Sequence, residues 1–79
     1  MQQSHIQKPM TFLISAWSAT YMLSHLWECV RDNKIENAMT AQFLYLFHRD
    51  EANEALVSMN QDELETLNEM ANIADGVPQ

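Results

Sequence analysis

Between Met10 and Arg31 the apolar side chains fall into two rows of one helical repeat. Phe12, Ala16, Ala19, Leu23, Leu26, Trp27 and Val30 succeed one another at steps of three, four and one; Met10, Ile14, Trp17 and Tyr21, extended by the polar His25, form the other row. Steps of three and four trace one face of an α-helix, so a first helix is expected over residues 10–31. Pro9 suits the start of that helix because its φ is already fixed near the helical value. The polar, uncapped residues 1–8 are expected to be flexible. A surface helix of a monomer needs one buried stripe, whereas this one carries two. The second stripe therefore predicts a partner chain. Phe12, Ile14, Trp17, Tyr21, Leu23 and Trp27 are the candidate residues of a dimer interface.

Beyond Asp32 the pattern breaks and restarts. Asn33 followed by Glu36 has the spacing of a capping box, in which an amide oxygen accepts from a free N–H of the new helix. A second helix over 35–48 follows, with a stripe of Ile35, Ala38, Met39, Gln42, Phe43 and Leu46 and with Phe47 beside it. Asp50 is a candidate N-cap for a short helix over 51–58 that would bury Ala52, Ala55 and Leu56, with Met59 next to them. Asn60 and Glu63 repeat the capping-box spacing ahead of a last helix over 61–74. That helix would bury Leu64, Leu67, Ala71 and Ala74, flanked by Met70 and Ile73, and would end at Asp75-Gly76, with Pro78 blocking continuation. No stretch alternates with period two. The expected fold is all-α: a small bundle of about four helices, dimeric through the long first helix. The single helical domain spans 9–76, between a flexible segment at 1–8 and a tail at 77–79.

Length sharpens the expectation of association. A chain of 79 residues buries only about 60% of the surface it exposes when unfolded, so small folds lean on disulfides, metals or partners. Cys29 is the sole cysteine, which rules out an internal disulfide and suits a reducing, cytoplasmic setting. The apolar run from Met10 to Val30 has the length of a membrane span. However, Ser15, Ser18, Thr20, Ser24, His25 and Glu28 would be costly in hydrocarbon, so a buried helix is expected and no membrane partner. No basic start or small-residue cleavage site marks a signal peptide.

Charge narrows the partner. The net charge is −7, and it is unevenly placed. Residues 1–49 hold Lys8, Arg31, Lys34 and Arg49 against Glu28, Asp32 and Glu36; residues 50–79 hold eight acids and no base. The last two helices invite comparison with a DNA-reading helix-turn-helix, yet the second would carry Asp62, Glu63, Glu65 and Glu69 and nothing basic. Duplex recognition needs positive charge for the phosphates and leans on Arg, Lys, Asn and Gln for base edges. Direct DNA binding is thus excluded. Asp62, Glu63, Glu65 and Glu69, with methionines such as Met59 and Met70 nearby, are instead candidates for docking a basic protein.

Candidate chemistry is sparse. His25 and Cys29 are four apart and share a helix face, with Glu28 and Asp32 close by. Zinc wants about four ligands, and His5 and His48 have no spacing that brings them there. A buried free cysteine beside a half-exposed histidine is the plainer reading, so neither metal nor cofactor is expected. As a thiolate and its base the pair lacks an oxyanion hole, since the sole glycine is Gly76. A non-enzymatic chain is expected.

Two stretches resemble the FlhD family. Tyr21-Met22-Leu23-Ser24-His25-Leu26-Trp27 through Asp32 is similar to that family's first helix, which carries a tyrosine, a leucine-rich run and an aspartate at comparable spacing. Leu46 through Glu69 lies on the family's next segment without a gap. There Leu46, Asp50-Glu51, Leu56, Met59, Leu64, Leu67 and Glu69 fall where FlhD-like chains have leucine or methionine and acidic residues. The chain departs from the family in its longer stretch from Asp32 to Leu46, in Phe47 where a glycine is usual, and in stopping short of the C-terminal region. The resemblance implies a helical homodimer that joins a zinc-binding, DNA-contacting FlhC-like partner to activate transcription. Composition alone leaves two alternatives: a phage or plasmid acidic inhibitor of a nucleic-acid-binding enzyme, and a secretion-type helical chaperone.

Overall fold

A computed structural model describes the backbone of residues 4–74 and the side chains of residues 6–73. It contains three helices: α1 (Ser4–Arg31), α2 (Ile35–Val57) and α3 (Gln61–Ala74). The chain is all-helical over the described residues, with three helices where about four were expected.

Helix α1 starts earlier than its periodicity suggested. Ser4 to Lys8, within the segment expected to be flexible, are helical; residues 1–3 lie outside the described ones. Pro9 sits inside the helix rather than at its entrance. It cannot donate to the carbonyl of His5, which costs one hydrogen bond, but its ring is fully buried. The Lys8 ammonium donates to the Ser58 carbonyl at 3.1 Å and ties this end of α1 to the far end of α2.

The turn between α1 and α2 is a Schellman motif. Asn33 has φ 60; its N–H donates to the Val30 carbonyl at 3.1 Å and the Lys34 N–H to the Cys29 carbonyl at 2.8 Å. These are the five-to-two and six-to-one bonds that close a helix on a left-handed residue. Asn33 therefore ends α1; the expected capping box with Glu36 does not form. Lys34 takes the N-cap position of α2, with no side-chain cap.

Helix α2 runs unbroken through Arg49 and Asp50, so Asp50 caps nothing and the expected second and third helices are one. The residues from 45 to 57 include no glycine or proline, and Arg, Glu and Ala sustain a helix well. Moreover, the row of Ala38, Ala41, Tyr45, His48, Ala52 and Ala55 keeps three/four spacing across 49–50. A break there would have thrown Ala52 and Ala55 off the face that packs on α1. After Ser58 the expected capping box at α3 does form: the Glu63 N–H donates to Asn60 Oδ1 at 2.9 Å and the Asn60 N–H to Glu63 Oε1 at 2.8 Å. The termination at Asp75-Gly76 and the tail at 77–79 lie outside the described residues.

Helices α1 and α2 form an antiparallel hairpin. α3 packs on α1 and scarcely touches α2, so α1 is the central helix. The molecule measures 48 × 28 × 16 Å. Its radius of gyration is 15.1 Å, against roughly 12 Å for a compact chain of this length. An elongated chain of this size encloses little interior. What it buries is small: Ser15, Ala19 and Cys29 of α1 and Ala38, Ala41, Ala52 and Ala55 of α2. Phe12 and Leu13 pack at one end against a cluster of Ala55, Met59 and Leu67. Besides the Lys8–Ser58 bond, a polar link crosses the seam where Ser15 Oγ donates to Glu51 Oε1 at 3.4 Å, while His48 Nδ1 lies 3.1 Å from the same oxygen.

The expected stripe of α2 is consequently inverted. Ala38 is inside, but Ile35, Met39, Phe43 and Leu46 are exposed, as are Leu56 of α2 and Leu64 and Ile73 of α3. Close approach of two helices selects small side chains at the contact, and the large ones are left on the outside.

Candidate functional site

Sixteen large apolar side chains are exposed among the described residues, far beyond the scattered single exposures normal for a monomer. They concentrate on two faces. The first is on α1: Ile6, Met10, Ile14, Trp17 and Tyr21, at steps of four, four, three and four, with Trp17 56% and Tyr21 70% exposed. At about 100° per residue this row lies roughly 150° around α1 from the alanine seam, away from α2. No Asp, Glu, Lys or Arg occurs from Pro9 through Trp27, so the face is apolar without charged punctuation.

The six residues expected at a dimer interface divide. Ile14, Trp17 and Tyr21 share the open α1 face. Phe12 is half-buried, packed against the Ala55, Met59 and Leu67 cluster. Leu23 is half-buried and, with Phe12, Ala19, Tyr45 and Ala52, lines a shallow groove between α1 and α2. Trp27 is exposed but stands about a quarter turn from the Trp17 row, near Val30 and the hairpin turn. Ile6 and Met10 extend the α1 face toward its N-terminus. Met10 belonged to the second stripe of the sequence, whereas Ile6 fell in the segment expected to be flexible.

The second face is on α2. Ile35, Met39, Phe43, Leu46 and Phe47 are exposed, Phe43 by 68%, and the row continues through the exposed Asp50 and Glu54 to Val57. Periodicity had placed most of these residues inside, so the larger stripe did not point to an open face here. The signal was the alanine row in the opposite phase.

The acidic set on α3 also divides. Asp62, Glu65 and Glu69 are exposed. Glu63 is only 5% exposed, because its carboxylate holds the helix start through the Asn60 N–H. The expected methionine contribution is reduced as well: Met59 is buried in the core cluster and Met70 is half-buried.

Around Cys29 the geometry is local. Its Sγ lies 3.5 Å from His25 Nε2, while His25 Nδ1 lies 3.7 Å from Glu28 Oε1, an ion pair only when the imidazole is protonated. The Tyr21 ring stacks on His25 at 6.5 Å. The two imidazole nitrogens thus face different partners, and Cys29 is itself buried. Among the described residues no three His, Cys, Asp or Glu side chains come together as metal ligands would. An open groove of about 480 Å³ is lined by Lys8, Thr11, Glu51, Glu54, Ala55 and Ser58, and the Lys8 amine there is already bonded to a carbonyl. No helix among the described residues is long and apolar enough to cross a membrane.

No family model, no curated protein and no solved structure matches the chain.

Proposed function

We propose that this chain is a non-enzymatic, cytoplasmic interaction subunit that pairs with a second copy of itself through the outer face of α1. The observation that carries the reading is the uncharged row of Ile6, Met10, Ile14, Trp17 and Tyr21, left open on the central helix. Two such rows meet without opposing like charges, and spacing of four, three and four is what a helix needs to lie along another helix. Burying an aromatic side chain such as Trp17 contributes about 1.5–3 kcal/mol, and the partner copy covers the apolar face that the chain leaves open.

Within that reading the chain is a subunit of an FlhD-like transcriptional activator complex, in which an FlhC-like partner contacts DNA. Support for this narrower role comes from the residues shared with the FlhD pattern and from an acidic surface that does not suit DNA. Sedimentation tests the pairing. The chain is expected to sediment as a dimer at micromolar concentration, and Trp17→Ser with Tyr21→Ser is expected to give a monomer of unchanged helical content. A wild-type monomer with native helicity would sink the proposal. Affinity purification from the native host tests the role: a zinc-containing activator or RNA polymerase supports activation, whereas a nuclease or an export substrate replaces it with inhibition or chaperoning.

A further inference from the structure

We infer that the outer face of α2 is a second docking surface, and that its occupant is a basic amphipathic helix of another protein. This goes beyond self-pairing through α1 and stands independently of it. On α2 the exposed row lies roughly 160° around from the alanine seam, so the α1 and α2 rows look out from opposite sides of the hairpin and both can be occupied at once.

The apolar part of the face runs from Ile35 through Met39 and Phe43 to Leu46 and Phe47, all exposed. That is about three helical turns, or roughly 17 Å. Anchors at steps of four, four and three are the imprint that a helix laid along this face would match. One turn further on, the same row becomes acidic with Asp50 and then Glu54, and Glu36 flanks its beginning; all three are exposed. Arg49 stands 4.0 Å from Asp50 at the surface and 5.8 Å over the Tyr45 ring; Lys34 precedes the row, and Lys8, already bonded to the Ser58 carbonyl, lines the groove beside Glu54.

Charge decides the occupant. A second copy laid on this face would bring one acidic rim against another with no lysine or arginine in the row to answer it, and like charges across an interface select against that pairing. The α1 row meets acid only beyond Tyr21, at Glu28, where the His25 imidazole stands 3.7 Å away and Arg31 follows one turn on. A helix with apolar residues at three/four spacing and lysine or arginine toward one end satisfies both halves of the α2 face.

The test uses the full chain and synthetic peptides of about 18 residues, five helical turns. One carries leucines at three/four spacing with lysines at one end, and its counterpart has glutamate in place of lysine. Fluorescence anisotropy is expected to show the basic peptide binding at least about tenfold tighter than the acidic one, and more weakly as salt rises. Phe43→Ser with Met39→Ser is expected to lower that affinity by about tenfold or more. Asp50→Lys with Glu54→Lys, two surface changes that leave the apolar row intact, is expected to reverse the peptide preference. Trp17→Ser with Tyr21→Ser should bind the basic peptide as the wild type does, which separates this site from the self-pairing face. Equal binding of the two peptides, or binding unaffected by both α2 double variants, overturns the inference. So does dissociation of the dimer by Phe43→Ser with Met39→Ser, which would make α2 the self-interface.

Discussion

Asn33 holds a positive φ in a chain whose only glycine is Gly76, and the turn that sets α2 against α1 depends on it. Asparagine tolerates the left-handed region better than any residue with a plain Cβ, because its short amide can bond locally. Asn33→Ala is expected to destabilise the fold by about 1–2 kcal/mol, and Asn33→Gly to be neutral or slightly stabilising. For a domain of this size each kcal/mol moves the midpoint of a thermal melt by roughly 4–8 °C, well within measurement. The other asparagine cap, Asn60, works through its side chain, and its reciprocal partner Glu63 is buried by that duty. Glu63 therefore belongs to the folding of α3. Reversing its charge would place a cation at the positive end of the helix and confuse unfolding with lost binding, so only Asp62, Glu65 and Glu69 report on the acidic surface of α3.

At the scale of elements, the seam between α1 and α2 is built of small side chains. Ala41 is 1% exposed, and the helices approach closely because alanine, serine and cysteine occupy the contact positions. Ala41→Leu adds three carbons where nothing can move aside, and it is expected to cost about 1–3 kcal/mol. Urea denaturation followed by circular dichroism would show it. An unchanged midpoint would mean that the helices stand further apart than the seam described here. Ser15 and Glu51 set the register of the pair, since sliding α2 by one turn would strand a buried hydroxyl from its acceptor.

At the scale of the whole molecule, the exposed apolar rows of α1 and α2 look out from opposite sides of the hairpin. On the reading proposed above each is a docking surface, and the charge beside it selects the partner. The same charge keeps nucleic acid away: with eight acids and no base in residues 50–79, the chain alone is expected to bind duplex DNA no better than background at physiological salt. A gel shift with tight binding and no partner present would overturn the electrostatic argument.

The sequence by itself determined the helical class, the two apolar rows on α1, the capping box at Asn60 and the scarcity of positive charge. Each of these is a local property: spacing of three and four fixes a helix face, and an amide three residues before a carboxylate fixes a helix start. Tertiary structure decided which rows are inside. Ile35, Met39, Phe43 and Leu46 make the more apolar stripe on α2, yet Ala38, Ala41, Ala52 and Ala55 are the ones buried. Periodicity reports that a face is apolar, not what covers it. Two helices pack most closely through their smallest residues, and α3, which packs on α1, leaves the large ones of α2 uncovered. The same contact carried α2 past Asp50, where local chemistry offered a cap: keeping Ala52 and Ala55 in phase with the seam required the helix to continue.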